Sequence, residues 1–362
     1  MSAQPEIQEA HCLNERSSSQ TGSTPCTRCR DICPPGAIRL DSSIPRLDSD
    51  ICTGCMACTS VCPVHAVTGS EIDPYAIVGK ARQLGRQGNT RLHVACSASA
   101  DAEQADIEVA CHGVWDAFLL ASIAAEGIRD MHITGIDRCG TCPRRYGSDI
   151  FSGTENDYKT LNMALEVRLN IRHDAPPEVP RPEPKEERPG LSEPSRRAFF
   201  RNIIPSIAQG MAMTAAQIGQ AAREELAEEA PPNEKESTLP LRHRLFLKAL
   251  PRLKPNFTPV PDLPSLPMGA IQANDSCTAC NECVEQCPTQ ALSLKPFGAN
   301  AVLEFRPDAC IGCRQCIERC PEDALEALPG ISLPAIAAQR SRPLIMVPVK
   351  NGASTPPQQS IS

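Results

Sequence analysis

Aromatic residues are scarce in this sequence: one Trp, three Tyr and eight Phe make up 3% of 362 residues. A chain of this length has room for two or three domains. So few rings leave little material for one large conventional core, so something other than side-chain packing must organise part of the molecule. Basic charge is not in excess either. A net charge of −7 argues against a nucleic-acid binder, whose affinity rests on a basic surface. The sequence has no uninterrupted apolar run of the roughly 18 residues a membrane-spanning helix needs. The opening stretch MSAQPEIQEAHCLNER lacks the apolar core of a secretory signal. No G-x-G-x-x-G follows a strand pattern, and there is no Gly-rich phosphate loop. The expected location is therefore the cytoplasm, where a disulfide framework is not the usual use of cysteine.

Cysteine and proline, by contrast, are abundant, at 20 and 35 residues. Thiols in such number in a reducing compartment point to metal, and their spacing says which kind. Cys277, Cys280, Cys283, Cys287 and Pro288 form one run, and Cys310, Cys313, Cys316, Cys320 and Pro321 form a second. Each is C-x2-C-x2-C-x3-C-P, the spacing of bacterial-type iron–sulfur ligation. Three closely phased thiolates can wrap one cube, while the fourth, set apart by a longer gap and a proline, is left to reach its neighbour. A structural zinc site would instead place thiols in pairs separated by a long loop.

Over residues 271–328 the chain thus resembles two-cluster bacterial ferredoxins. Carried over by position, the resemblance assigns one [4Fe-4S] cluster to Cys277, Cys280, Cys283 and Cys320, and another to Cys287, Cys310, Cys313 and Cys316. The amino-terminal part repeats the scheme with Cys52, Cys55, Cys58, Cys62 and Pro63. Upstream, Cys26, Cys29, Cys33 and Pro34 match the last three ligands of a run, but Ser23 stands where the first cysteine belongs. Cys12 lies further back, beyond the Ser/Thr-rich stretch LNERSSSQTGSTP, which reads as a loop. Cys12 is expected to fill the vacancy, giving one cluster on Cys12, Cys26, Cys29 and Cys62 and another on Cys33, Cys52, Cys55 and Cys58. The alternative is a free Cys12 beside a three-iron or serine-ligated cluster. The tails CPPGAI, CPVHAV, CPTQAL and CPEDAL align as an internal repeat, each expected to start a short helix after its proline. Small modules of this kind rely on metal in place of a large core.

Residues 75–172 read differently. Alternation in RLHVAC (91–96), DIEVAC (106–111) and MHITG (131–135) predicts three strands. VWDAFLLASIAAEG predicts a helix between the last two, and DYKTLNMALEVRLNI a second helix. Strand–helix–strand alternation implies a small parallel sheet. Cys96 and Cys111 then fall at the carboxyl ends of strands, with Cys139 and Cys142 just after the third. That edge is where cofactors gather in open parallel sheets, so the four are candidate metal ligands rather than four buried hydrophobes. VACHGVWDAFLL, MHITGIDRCGTC and Arg145-Tyr146-Gly147 resemble the iron–sulfur delta subunit of hydrogenases that associate with heterodisulfide reductase. The resemblance implies a [2Fe-2S] cluster on Cys96, Cys111, Cys139 and Cys142; the cysteine spacing around Cys96 departs from that family, leaving [4Fe-4S] or zinc as alternatives. His112 beside Cys111 is the one candidate base for thiol chemistry.

Residues 174–194 and 231–267 are rich in proline and read as semi-rigid tethers. Between them, 204–229 has helical apolar spacing, and LRHRLFLKALPRLK (241–254) is a basic amphipathic piece. Both are expected to pack on the chain's own modules, with docking on a partner or an anionic membrane surface as the alternative. Ser195-Arg196-Arg197-Ala198-Phe199-Phe200-Arg201 is similar to the starts of ferredoxin-type accessory proteins of molybdenum reductases.

The expected fold class is α+β: ferredoxin-like dicluster modules at 1–72 and 271–330, a small α/β parallel-sheet domain at 73–173, Pro-rich linkers with amphipathic helices at 174–270, and a tail at 331–362. No catalytic residue is assigned. The expected function is that of a multi-cluster electron-transfer protein or subunit without its own substrate site, holding four [4Fe-4S] clusters and a fifth centre. By analogy its partner is a redox enzyme, such as formate dehydrogenase or another molybdoenzyme. The competing reading is an accessory protein for molybdoenzyme maturation whose clusters are structural.

Overall fold

The computed structural model describes residues 4–17, 25–69, 73–174 and 239–348. The expected helix at 204–229, the arginine motif at 195–201 and the first proline-rich stretch beyond Asp174 lie outside these residues.

A four-stranded parallel sheet forms the centre. Its strands are β1 (Arg91–Cys96), β2 (Ile107–Val109), β3 (Asp130–Thr134) and β4 (Asn170–Arg172), in the order β2-β1-β3-β4. Four helices surround it: α1 (Pro74–Arg86), α2 (Ala117–Ala125), α3 (Gly147–Met163) and α4 (Leu241–Leu253). Asp73 caps α1 by accepting from the Tyr75 N–H at 3.0 Å, and Pro74 sits at the first helical position, where its missing N–H costs nothing. In α2 the residues from Ala117 through Ala124 are all buried, as expected of a helix with neighbours on every side. Leu92, Val94, Met131, Ile133, Trp115 and Phe246 join it in one continuous core.

The two cysteine-rich modules share a plan. In the first, Glu6–Ile7 pairs with Val67–Thr68 and a hairpin joins Ile38–Asp41 to Ile44–Leu47. In the second, Ile271–Ala273 pairs with Leu325–Ala327 and a hairpin joins Leu292–Phe297 to Asn300–Phe305. Each module carries two one-turn helices: Arg28–Asp31 and Ala57–Val61, then Glu282–Glu285 and Gln315–Glu318.

Several expectations need correcting. The helix of each repeat holds the third cysteine of its run and ends before the Cys-Pro pair; the chain after the proline makes a turn. The turn follows from a left-handed residue three positions beyond each final cysteine: Gly36, His65, Gln290 and Asp323 have φ of 68°, 56°, 55° and 47°. The helix expected over 157–171 starts ten residues earlier, at Gly147, and stops at Met163. Leu165 and Leu169 are buried beyond it, and the segment ends as β4, a strand the alternation pattern did not disclose.

The second proline-rich stretch is not a tether over its described part. Residues 241–253 form α4, packed on α2, and Val260–Pro261 pairs with Gly330–Ile331. Nor is 331–348 a tail: Leu333 and Ile336 are buried, and Arg342–Pro348 adds a third strand to the hairpin of the second module. Burial of Leu245, Phe246, Leu250 and Leu253 outweighs what composition alone suggested. Among the described residues no helix is long and apolar enough to cross a membrane.

Buried polar contacts fix the central domain to the second module. On α4, Arg242 donates to the Val114 carbonyl at 2.9 Å and pairs with Asp116, the residue that caps α2. Burial raises the Asp116 carboxyl, against the pull of Arg242. Its neighbour His243 stacks on Phe118 with ring centroids 5.1 Å apart and bonds the Asp308 carbonyl at 2.9 Å. One turn of α4 thus clips the central domain to the second module.

Candidate metal centres

The repeated runs fold alike because their backbones are bent alike. In the three regular runs a left-handed residue stands on either side of the second cysteine: Gly54 and Met56 about Cys55, Ala279 and Asn281 about Cys280, Gly312 and Arg314 about Cys313. Each such non-glycine residue costs about 1 kcal/mol or more, a strain the local sequence does not favour. It turns successive thiols toward one centre. The remote cysteine of a run is then met by the backbone four residues on: the Ala66, Ala291 and Ala324 N–H groups donate to the Cys62, Cys287 and Cys320 sulfurs at 3.1, 3.1 and 3.2 Å. Such N–H···S bonds stabilise negative charge on sulfur and are one means of setting a cluster's potential.

The thiols gather as quartets around hollows. Cys12, Cys26, Cys29 and Cys62 line one of about 370 Å3. Cys12 is held there by its second neighbour Asn14, buried, whose amide donates to the Cys26 carbonyl at 2.9 Å while its oxygen accepts from the Cys26 N–H at 2.7 Å. Cys277, Cys280, Cys283 and Cys320 line a hollow of about 400 Å3, and Cys287, Cys310, Cys313 and Cys316 one of about 680 Å3. The Cys55 thiol lies within electrostatic reach of Cys33 and Cys52, and Cys58 within reach of Cys33, Cys52 and Cys55. The three quartets that line hollows ring spaces rather than points. Among the described residues no three Cys, His, Asp or Glu side chains converge as a single bound ion would require.

In the central domain Cys96 ends β1, Cys111 follows β2, and Cys139 and Cys142 follow β3, all at one sheet edge. Two glycines make the room. A Cβ on Gly147 would lie 2.8 Å from the Cys111 sulfur and 3.4 Å from that of Cys139. Gly135, with φ of 91°, leaves space for the Cys96 sulfur, 2.5 Å from where a Cβ would sit. His112 is not a base for Cys111. Its Nε2 bonds the Thr134 carbonyl at 2.9 Å and its Nδ1 accepts from the Trp115 indole at 3.3 Å, and burial lowers its pKa to about 4.

Burial, reinforced by neighbouring thiols, pushes several of the more enclosed cysteines up. Cys29, Cys111, Cys283 and Cys310 reach about 12 and Cys313 about 11. At neutral pH such thiols stay protonated unless positive charge is bound among them, as ligation of iron supplies. Donor chemistry, N–H···S bonds and glycine cradles therefore suit iron–sulfur clusters.

Comparison with known proteins bears on this reading. The 4Fe-4S dicluster domain matches at residues 24–66 and 276–324. The chain carries two ferredoxin-type dicluster domains. The ferredoxin-type protein NapF of Escherichia coli K12 is 43% identical over 51 residues, which is 13% of this chain and 31% of that protein. The pyruvate synthase subunit PorD of Methanocaldococcus jannaschii is 43% identical over 44 residues, 12% of this chain and 51% of that one. A subunit of the ion-translocating oxidoreductase complex of Methanosarcina acetivorans is 38% identical over 48 residues, 13% and 18% respectively. The chain thus spans from about a fifth to half the length of these relatives. No solved structure matches it.

Sequence reasoning did not name Asn14, and it met Gly135 and Gly147 only inside quoted stretches, without giving either a role. Nothing in one sequence marks Asn14 as a clamp. Gly147, the residue after Tyr146 in a Cys-rich stretch, could have been singled out as a close-approach glycine.

Proposed function

We propose that this chain is an electron-transfer protein or subunit holding four [4Fe-4S] clusters on sixteen cysteines and a fifth centre on Cys96, Cys111, Cys139 and Cys142. The observation that carries this reading is the pair of dicluster matches, each falling on thiol quartets that the fold bends around hollows. When bound, such clusters exchange one electron at a time. The chain's own residues hold the thiolates apart, bury six of them, and direct backbone N–H groups at the sulfurs. Cys280 is the exposed cysteine; the others are buried or half-buried. On this reading every thiol is committed to ligation, His112 is fixed by two hydrogen bonds, and the chain acts as a carrier without its own substrate site. The fifth centre is read as [2Fe-2S], with [4Fe-4S] or zinc as the outcomes that a metal count separates.

The domains follow as a module at 1–72, a sheet domain at 73–173 that α4 completes, and a module at 271–330 extended by its strand at 342–348. The partner is a redox enzyme, with formate dehydrogenase or another molybdoenzyme the first to test. The accessory-protein reading drew on the 195–201 motif and on the basic helix; that helix is buried against its own chain. Reduction of the purified chain by a low-potential donor and reoxidation coupled to a partner's turnover tests the carrier role. A stable complex with an immature enzyme, indifferent to cluster oxidation state, would favour the accessory role.

A further inference from the structure

The quartets adjoin one another in a definite order. Cys111 and Cys55 belong to one apolar cluster with Ala57 and Ile150, walled by Ile32 and Tyr146. There Arg144 donates to the Gly54 carbonyl at 3.1 Å, and Gly113 lies so near the Cys55 carbonyl that a Cβ would overlap it. Cys29 and Cys58 belong to one buried cluster in the first module, and Cys283, Cys287, Cys310 and Cys316 pack against one common core in the second.

The modules meet at one further seam. Arg28, between Cys26 and Cys29, donates to the Pro264 carbonyl at 3.4 Å and faces Asp262 at 3.9 Å. Arg314, between Cys313 and Cys316, reaches the same Asp262 at 3.1 Å. Gln315 donates to the carbonyl of Leu13, next to Cys12, at 3.5 Å. The Cys111 thiol is within electrostatic reach of Cys55, Cys58 of Cys29, Cys313 of Cys26, and Cys316 of Cys283.

On the cluster reading above, we propose that the fold joins the five quartets into one unbranched row. It runs from Cys96/Cys111/Cys139/Cys142 through Cys33/Cys52/Cys55/Cys58 and Cys12/Cys26/Cys29/Cys62 to Cys287/Cys310/Cys313/Cys316, and ends at Cys277/Cys280/Cys283/Cys320. Asp262 is the clasp at its middle. The amino-terminal module, despite preceding the others in sequence, is the bridge between the central domain and the carboxyl-terminal module. The exposed Cys280 marks one end of the row as the place where a one-electron carrier can approach. One electron enters and one leaves, with no bond made or broken and no proton moved.

The experiment uses the full chain purified without oxygen. Asp262→Arg places a third cation between Arg28 and Arg314. Metal and sulfide content should stay unchanged, while backbone amides near Cys26–Cys29 and Cys313–Cys316 lose hydrogen-exchange protection. The spin–spin broadening of the fully reduced protein should diminish. Adding Arg28→Glu and Arg314→Glu should restore both. Gly113→Val should produce the same loss at the Cys55/Cys111 seam. Unchanged protection and line shape in Asp262→Arg at full metal content would overturn the row. So would metal loss that the compensating changes fail to restore, since Asp262 would then serve a site rather than a seam. Low iron in the unmodified chain is a separate failure, of the cluster reading itself.

Discussion

Replacing Gly147 by alanine should empty the central-domain site while leaving its scaffold at least as stable. Gly147 opens α3 with no left-handed backbone angle, so alanine suits the position: glycine is worse than alanine in helices by up to about 1 kcal/mol, less at a first turn. The added methyl would nevertheless lie 2.8 Å from the Cys111 sulfur and 3.4 Å from Cys139. A carbon at its contact minimum stands about 3.5–4.0 Å from its neighbours, so the Cys111 thiol must retreat by on the order of 1 Å. That displacement is large beside a metal–sulfur bond of about 2.3 Å, whose length tolerates only ~0.2 Å. Gly153 in the same helix is exposed and has nothing within 4 Å of its Cβ position, and so serves as the control. Iron and sulfide per chain should fall by about two each for Gly147→Ala if the centre is [2Fe-2S], or about four if it is a cube. Both should be unchanged for Gly153→Ala, and hydrogen exchange in β1 and β3 should be unaltered in both. Full metal content in Gly147→Ala would refute the assignment of Cys111 and Cys139 to one site. Loss of protection across the sheet would refute the claim that the effect is local.

Three further outcomes are expected. Arg242→Met should destabilise the junction of the central domain and second module by about 3–5 kcal/mol, because it leaves Asp116 buried without its partner; local hydrogen exchange in α4 and α2 reads this. The effect should shrink in acid, as Asp116, already raised by burial, takes up a proton instead. An effect under about 1 kcal/mol at neutral pH would contradict the pairing. Cys12→Ala should remove about one iron per chain, since three thiolates remain for a four-iron cube; an unchanged count would make Cys12 a bystander. Burial lowers His243 from 6.5 to about 4, so the unfolded chain takes up the proton first as pH falls. The stability of the α4 junction should be full above about pH 6.5 and lost progressively toward pH 4, by about 3 kcal/mol at most. His243→Gln should flatten that dependence, and an unaltered profile would show that other groups govern it.

The metal-bearing runs were legible because ligand spacing is a local property: C-x2-C-x2-C-x3-C-P states which thiols share a loop before any fold is known. The central strands were legible for the same reason, since alternation in RLHVAC and MHITG needs no partner to be seen. What could not be read is what distance in sequence conceals. Packing of the 241–254 helix on its own chain was expected, but the role of Arg242 was not, because its partner Asp116 is 126 residues away. Prolines at 251, 255, 259, 261 and 264 suggested a tether, yet Pro251 lies within the last turn of a buried helix and Pro261 pairs with Gly330. The left-handed residues flanking the second cysteines carry no common residue type, being Gly, Ala, Met, Asn and Arg. The helices expected after the prolines failed on that same backbone geometry. Asp73-Pro74 was a helix-start signal present in the sequence and left unused.

The central claim is that this chain is organised around iron–sulfur clusters. Its most direct test is iron, acid-labile sulfide and zinc per chain in protein purified without oxygen. The expected result is about 18 iron and 18 sulfide for four cubes and a two-iron centre, or about 20 of each if the fifth is a cube. About 16 iron with one zinc would make the central site structural and end the row at the amino-terminal module. Little iron and several zincs would contradict the central claim outright.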